Sequence, residues 1–186
     1  MKKKFAIEHS GQVLQKAYHG TSKETARKIL KEKKFVPTRD ARSYLGDGVY
    51  FYEHSRWLAA NWAEKCLGKG ACIGIICACI DYGYCLNLDI PEHRQIIRRV
   101  KDLISIRDLQ AKKLDRVTDS FVINYYSTNI AKNIDTVRLT YMSDDYKKMM
   151  FPGSLISDYR QPMVCVRKQD KISKICIAFE GSDYHE

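Results

Sequence analysis

The run Ile73-Gly74-Ile75-Ile76-Cys77-Ala78-Cys79-Ile80 constrains the fold more than any other stretch of this chain. It is far too short to be the eighteen or so apolar residues of a membrane-spanning helix, and too uniformly apolar to face water. It reads as a buried strand, which needs other elements packed around it. Alternate residues of a strand share a face, so Cys77 and Cys79 lie on the same side.

Shorter strands and amphipathic helices surround that run. Val13 to Tyr18 is a predicted strand running into His19-Gly20-Thr21. Thr21 followed three residues later by Glu24 has the form of a capping box and predicts a helix reaching about Lys34. Ala26, Ile29 and Leu30 would form its buried face. Residues 38–47 form a polar loop closing on Gly46-Asp47-Gly48. Val49 to Tyr52 is a strand and Ser55 to Cys66 a second helix. Cys85 to Asp89 is extended, Glu92 to Leu114 is a basic amphipathic helix, and residues 119–134 are helical or mixed. Val137 to Met142, Met163 to Arg167 and Ser173 to Phe179 complete the strands. No linker or repeat divides residues 1–186, so the expectation is one α+β domain with helices outside the sheet.

Charge and cysteine content narrow the chemistry. The net charge of +10 favours polyanionic partners, since Lys and Arg release counterions when they neutralise phosphates. The seven cysteines fit no zinc spacing, so no metal is expected, and they read as small buried hydrophobes in a reducing cytoplasm. The start is basic without an apolar stretch behind it, unlike a signal peptide.

Single motifs in this chain are common, but their order is not. Tyr18-His19-Gly20-Thr21 at a strand end precedes a helix, a polar loop, Leu45-Gly46-Asp47-Gly48-Val49-Tyr50-Phe51, and a helix carrying Ala60-Asn61-Trp62-Ala63. Over residues 18–63 this order resembles the ADP-ribosyltransferase superfamily, in the branch of poly(ADP-ribose) polymerases and diphtheria toxin. The resemblance implies a split, twisted antiparallel sheet with peripheral helices around a cleft that binds NAD as co-substrate. In that cleft His19 would hydrogen-bond a ribose hydroxyl, and the backbone of Gly20 would hold the nicotinamide carboxamide. Tyr50 and Trp62 would flank the nicotinamide ring. Thr21 and Gly48 complete the two motifs, and Arg39 and Arg42 would reach the pyrophosphate.

The resemblance further implies release of nicotinamide with positive charge developing on the ribose, which a glutamate at the start of a late strand stabilises. Here Gln161 stands at that position, with Glu180 and Asp158 as alternative carboxylates. An amide lacks the charge, a deficit of about 1 kcal/mol or roughly five- to tenfold in rate, which suits single transfers better than polymer synthesis. The expected activity is therefore mono-ADP-ribosylation, with His19, Tyr50 and Gln161 catalytic. The charge points to RNA or single-stranded DNA as acceptor. Size and charge are similar to cytoplasmic toxins of toxin–antitoxin or anti-phage systems, which implies an antitoxin partner and no membrane. The alternatives are a protein-modifying transferase and an inactive module that binds nucleic acid or NAD-derived ligands.

Overall fold

The computed structural model describes residues 6–39, 43–105, 117–142, 160–182 and 184. Seven strands build one mixed sheet: β1 (Val13–Ser22), β2 (Val49–Glu53), β3 (Ile73–Asp81), β4 (Cys85–Asn87), β5 (Thr136–Met142), β6 (Arg160–Val166) and β7 (Ile172–Gly181). Their order across the sheet is β4-β5-β6-β2-β1-β3-β7. The apolar run forms β3, between β1 and β7, with Ile73, Ile75, Ile76 and Ile80 fully buried. Every neighbouring pair is antiparallel except β4 and β5, which are parallel. The wholly antiparallel expectation is corrected there. The long connection from β4 to β5 carries two helices among the described residues, and such a crossover lets two strands run the same way.

The helices lie on both faces. On one face α1 (Lys23–Glu32) places Ala26 and Ile29 against Leu14, Ala17, Phe35, Phe51, Ile76 and Val164. On the other, α2 (Arg56–Leu67) packs Ala59, Ala60 and Ala63 on Ile73 and Ile75, next to Tyr18 and Tyr52. A third cluster joins α3 (Pro91–Leu103) and α4 (Asp119–Tyr125) through Ile96, Val100, Val122 and Ile123 to Leu86, Val137 and Cys165. A π-helical turn, Tyr126–Ile130, closes α4, with Ala131 N–H donating to the Tyr126 carbonyl at 2.8 Å.

Two sequence expectations shift. The α1 cap is Ser22, whose extended backbone (φ −71°, ψ 154°) lets its oxygen accept from Thr25 N–H. Thr21 instead stays in β1 opposite Gly74. The basic helix ends at Leu103, and residues 106–114 of its predicted span lie outside the described residues. Among the described residues no helix is long and apolar enough to cross a membrane.

Candidate functional site

The sheet opens between β1 and β2. Their register consists of two pairs, Ala17↔Glu53 and Tyr18↔Tyr52, although both strands continue beyond them. Lys16 C=O accepts from His54 N–H, so the polar groups of Lys16 face β2. Backbone polar groups alternate along a strand, which turns those of Tyr18 and Gly20 the same way. Continuing the ladder would set Gly20 against Tyr50. Instead the Tyr50 carbonyl accepts from His19 Nδ1 at 2.8 Å. A side chain thus occupies the acceptor where the two strands part, and the Gly20 backbone edge turns into the gap.

This bond fixes the state of His19. A carbonyl only accepts, so Nδ1 carries the proton. Burial holds the imidazole below its usual pKa range, and the ring sits edge-on to Phe35 with centroids 5.5 Å apart. The neutral tautomer leaves Nε2 as an acceptor, suited to a hydroxyl donor. His19 lies on the α1 face with Phe35 and Phe51, whereas Tyr50 and Tyr52 point to the opposite face.

Tyr50 is anchored to the loop before it. Its hydroxyl donates to Gly46 C=O at 2.7 Å and accepts from Leu45 N–H at 3.0 Å. Burial pushes its pKa upward, so the phenol stays protonated. The same loop is tied from α4. Asn124 Oδ1 accepts from Asp47 N–H at 2.9 Å, Asn124 Nδ2 donates to Asp47 Oδ1 at 2.9 Å, and Arg167 Nη1 donates to both Asp47 C=O and Asn124 Oδ1. Gly48 lies so close to β6 that an added Cβ would be 2.4 Å from Cys165 Sγ. The Gly-Asp-Gly motif is therefore a rigid wall beside the gap.

Gly20 meets a similar limit. A Cβ on Gly20 would fall 1.9 Å from the Ala59 carbonyl oxygen, so α2 rests directly on this position. Glycine is required here by helix packing, in addition to any close approach of nicotinamide. Trp62, on the outer side of α2, is 46% exposed with Lys65 Nζ over its ring at 5.9 Å. Among the described residues no ring contact joins Tyr50 to Trp62. The aromatic packed between β2 and α2 is Tyr52, which touches both flanking clusters and whose pKa burial raises to about 12. Sequence reasoning missed Tyr52, although alternation along Val49-Tyr50-Phe51-Tyr52 puts it on the face of Tyr50.

Gln161 is half-buried on β6 opposite Tyr141. The β2–β6 register ends at Tyr52↔Met163, so Gln161 lies just past it on the Tyr52 face, roughly 13 Å along β6 from Cys165, the partner of Tyr50. Glu180 is not beside Tyr50. It sits on β7, three strands from β2, where Arg27 of α1 grips both carboxylate oxygens at 2.8–3.1 Å. Arg39 is exposed, and Arg42 and Asp158 lie outside the described residues.

The remaining buried charges hold the scaffold. Glu53 is 5% exposed and takes two hydrogen bonds from Arg138 at 2.7 Å and one from the Tyr82 hydroxyl at 2.8 Å. Arg138 also reaches Asp89, which accepts from Thr140 N–H and Oγ1. Among the described residues no cluster of His, Cys, Asp and Glu could hold a metal ion. The reading of all cysteines as buried is corrected: Cys66, Cys72 and Cys176 are exposed.

No family model matches the chain. It is similar to the uncharacterized protein MJ0359 of Methanocaldococcus jannaschii, at 29% identity over 136 residues, or 67% of this chain. The matched stretch spans 63% of the archaeal protein.

Proposed function

We propose that the chain is an NAD-dependent mono-ADP-ribosyltransferase that releases nicotinamide and modifies a nucleic acid, with RNA or single-stranded DNA as acceptor. The observation that carries this reading is the parting of β1 from β2 at His19, whose proton is committed to the Tyr50 carbonyl and whose Nε2 is left to accept. A ribose hydroxyl is the donor that such a nitrogen suits, and the Gly20 backbone edge beside it suits a carboxamide, which both donates and accepts. The wall from Leu45 to Gly48, held by the Tyr50 hydroxyl, Asn124 and Arg167, gives the pocket the rigidity that positioning requires.

In this reading Gln161 accepts from the ribose hydroxyl without adding charge, and Tyr52 joins Tyr50 as an aromatic lining the nicotinamide end. Arg39 and Arg42 serve the pyrophosphate. The chain acts in the cytoplasm as a toxin restrained by an antitoxin, and the net charge of +10 supports the nucleic-acid acceptor. A second reading, an inactive binding module, is favoured by one observation. The glutamate position holds an amide, and Glu180, the other carboxylate considered within the described residues, is committed to Arg27.

Incubation with labelled NAD and separate pools of RNA, single-stranded DNA and cell protein separates these readings. Label in a nucleic-acid pool, lost in His19→Ala, supports the proposal. Label in protein alone moves the acceptor to protein. Bound NAD with neither label transfer nor nicotinamide release supports the inactive module.

A further inference from the structure

The Cys-Ala-Cys motif of β3 has no part in the NAD reading, and the fold gives Cys77 a different partner from its sequence neighbour. Cys79 Sγ is hydrogen-bonded to Gln15, at 3.3 Å from its carbonyl and 3.5 Å from its side-chain oxygen. Cys77 is directly opposite Cys176 of β7 in an antiparallel register. Directly opposed residues have Cα atoms about 4.5–5.5 Å apart, within the range of about 4.4–6.8 Å that a disulfide spans. The two side chains share one face of the sheet, and Tyr18 of β1 stands directly opposite Cys77 on its other side. Register shifts bracket just two consecutive rungs, Ile76↔Ile177 and Cys77↔Cys176. Cys176 is exposed and Cys77 half-buried.

We propose that Cys77 and Cys176 form a reactive dithiol that closes to a cross-strand disulfide on meeting a peroxide. Cys176, reached first from solvent, attacks one peroxide oxygen as its thiolate. An S–O bond forms, the O–O bond breaks, and the departing hydroxide takes a proton to become water. Cys77 sulfur then attacks the Cys176 sulfenic acid. The S–S bond forms, the S–O bond breaks, and the leaving hydroxide carries off the Cys77 proton as a second water. Two thiols lose two electrons and one hydrogen peroxide gains them. The pair belongs to one transverse row, Tyr52–Tyr18–Cys77–Cys176, across β2, β1, β3 and β7. Closure ties β7 to β3 at the rung that also carries Tyr18, one residue before His19. The dithiol itself does not depend on the NAD reading.

The test uses the full chain with Cys66→Ser and Cys72→Ser, which removes the other exposed thiols. After treatment with one equivalent of hydrogen peroxide and alkylation of free thiols, the protein is digested without reductant and analysed by mass spectrometry. The expected product is a linked pair of peptides bearing Cys77 and Cys176, two hydrogens lighter than their sum. It should be reversed by dithiothreitol and absent from Cys176→Ser, with a higher Tm in the oxidised protein. Cys176 recovered as sulfinic acid or in an intermolecular disulfide while Cys77 remains alkylatable overturns the proposal. So does a link from Cys77 to Cys79.

Discussion

Gly20→Ala separates the two reasons for a glycine beside His19. The added methyl would lie 1.9 Å from the Ala59 carbonyl oxygen, 2.7 Å from its carbon and 3.2 Å from Ala63 Cβ. Ordinary contact begins near 3.4 Å, so α2 must retreat by about 1.5 Å, and helix backbone cannot swing aside as a side chain can. Overpacking of this kind costs about 1–3 kcal/mol, and a backbone clash belongs at the upper end. For a chain of this size each kcal/mol shifts Tm by about 2–4 °C, which gives a fall of roughly 6–12 °C. Thermal melts by circular dichroism measure it, with Gly11→Ala as a comparison. Gly11 has φ +65° but nothing within 4 Å of an added Cβ, so that variant carries backbone strain of about 1–2 kcal/mol and no collision. A Gly20→Ala protein that melts within about 2 °C of the parent would refute the contact between α2 and β1. Loss of NAD turnover at an unchanged Tm would leave ligand approach as the reason for the glycine.

Four other outcomes are expected. Tyr50→Phe strands Leu45 N–H and Gly46 C=O, lowers stability by about 1–3 kcal/mol in urea denaturation, and reduces nicotinamide release by loosening the wall. Gln161→Glu restores the charge and raises nicotinamide release roughly five- to tenfold in a steady-state assay. Glu53→Gln leaves Arg138 with one carboxylate and should cost about 3–5 kcal/mol, seen as a lower denaturant midpoint. Burial lowers the pKa of both His19 and His93, so between their folded values and the unfolded 6.5 the unfolded chain binds more protons. Stability therefore rises with pH through this window and is lost as pH falls below about 6.5. Denaturation measured from pH 5 to 7 should show a shallower slope in His19→Asn, and an unchanged slope would mean that His19 is not held neutral.

Much of the fold was legible because apolar runs and turn residues agree with the strands that form. The core strand, the two helices of the N-terminal half and the Gly-Asp-Gly turn all follow from local pattern. The exceptions have local causes. The Thr21-to-Glu24 spacing matches a capping box, but Ser22 with Thr25 offers the same reach one residue later, and pairing to Gly74 keeps Thr21 in the strand. The end of α1 carried no stop signal, since the left-handed residue there is Lys33 at φ 53°. The strand β6 starts at Arg160, three residues before the predicted Met163, and so takes in Pro162. The strand accepts it because β6 has lost its β2 neighbour beyond Met163. In the candidate site, motif order found His19, Gly20 and Tyr50, and strand alternation held the signal for Tyr52, whereas Asn124 and Arg167 come from parts of the chain joined only by tertiary packing.

The order of strands carries a cost during synthesis. β6 is inserted between β5 and β2, and β7 lies beyond β3, so the last two strands complete opposite halves of the sheet. Until residues 160–181 emerge, β2, β3 and β5 each present a bare edge able to recruit strands from other chains. Such distant pairings form slowly, which leaves a nascent chain exposed while the ribosome finishes. Holdase chaperones that mask strand edges should therefore raise the yield of folded protein, and a chain cut after Met142 should aggregate rather than stop at a smaller native state.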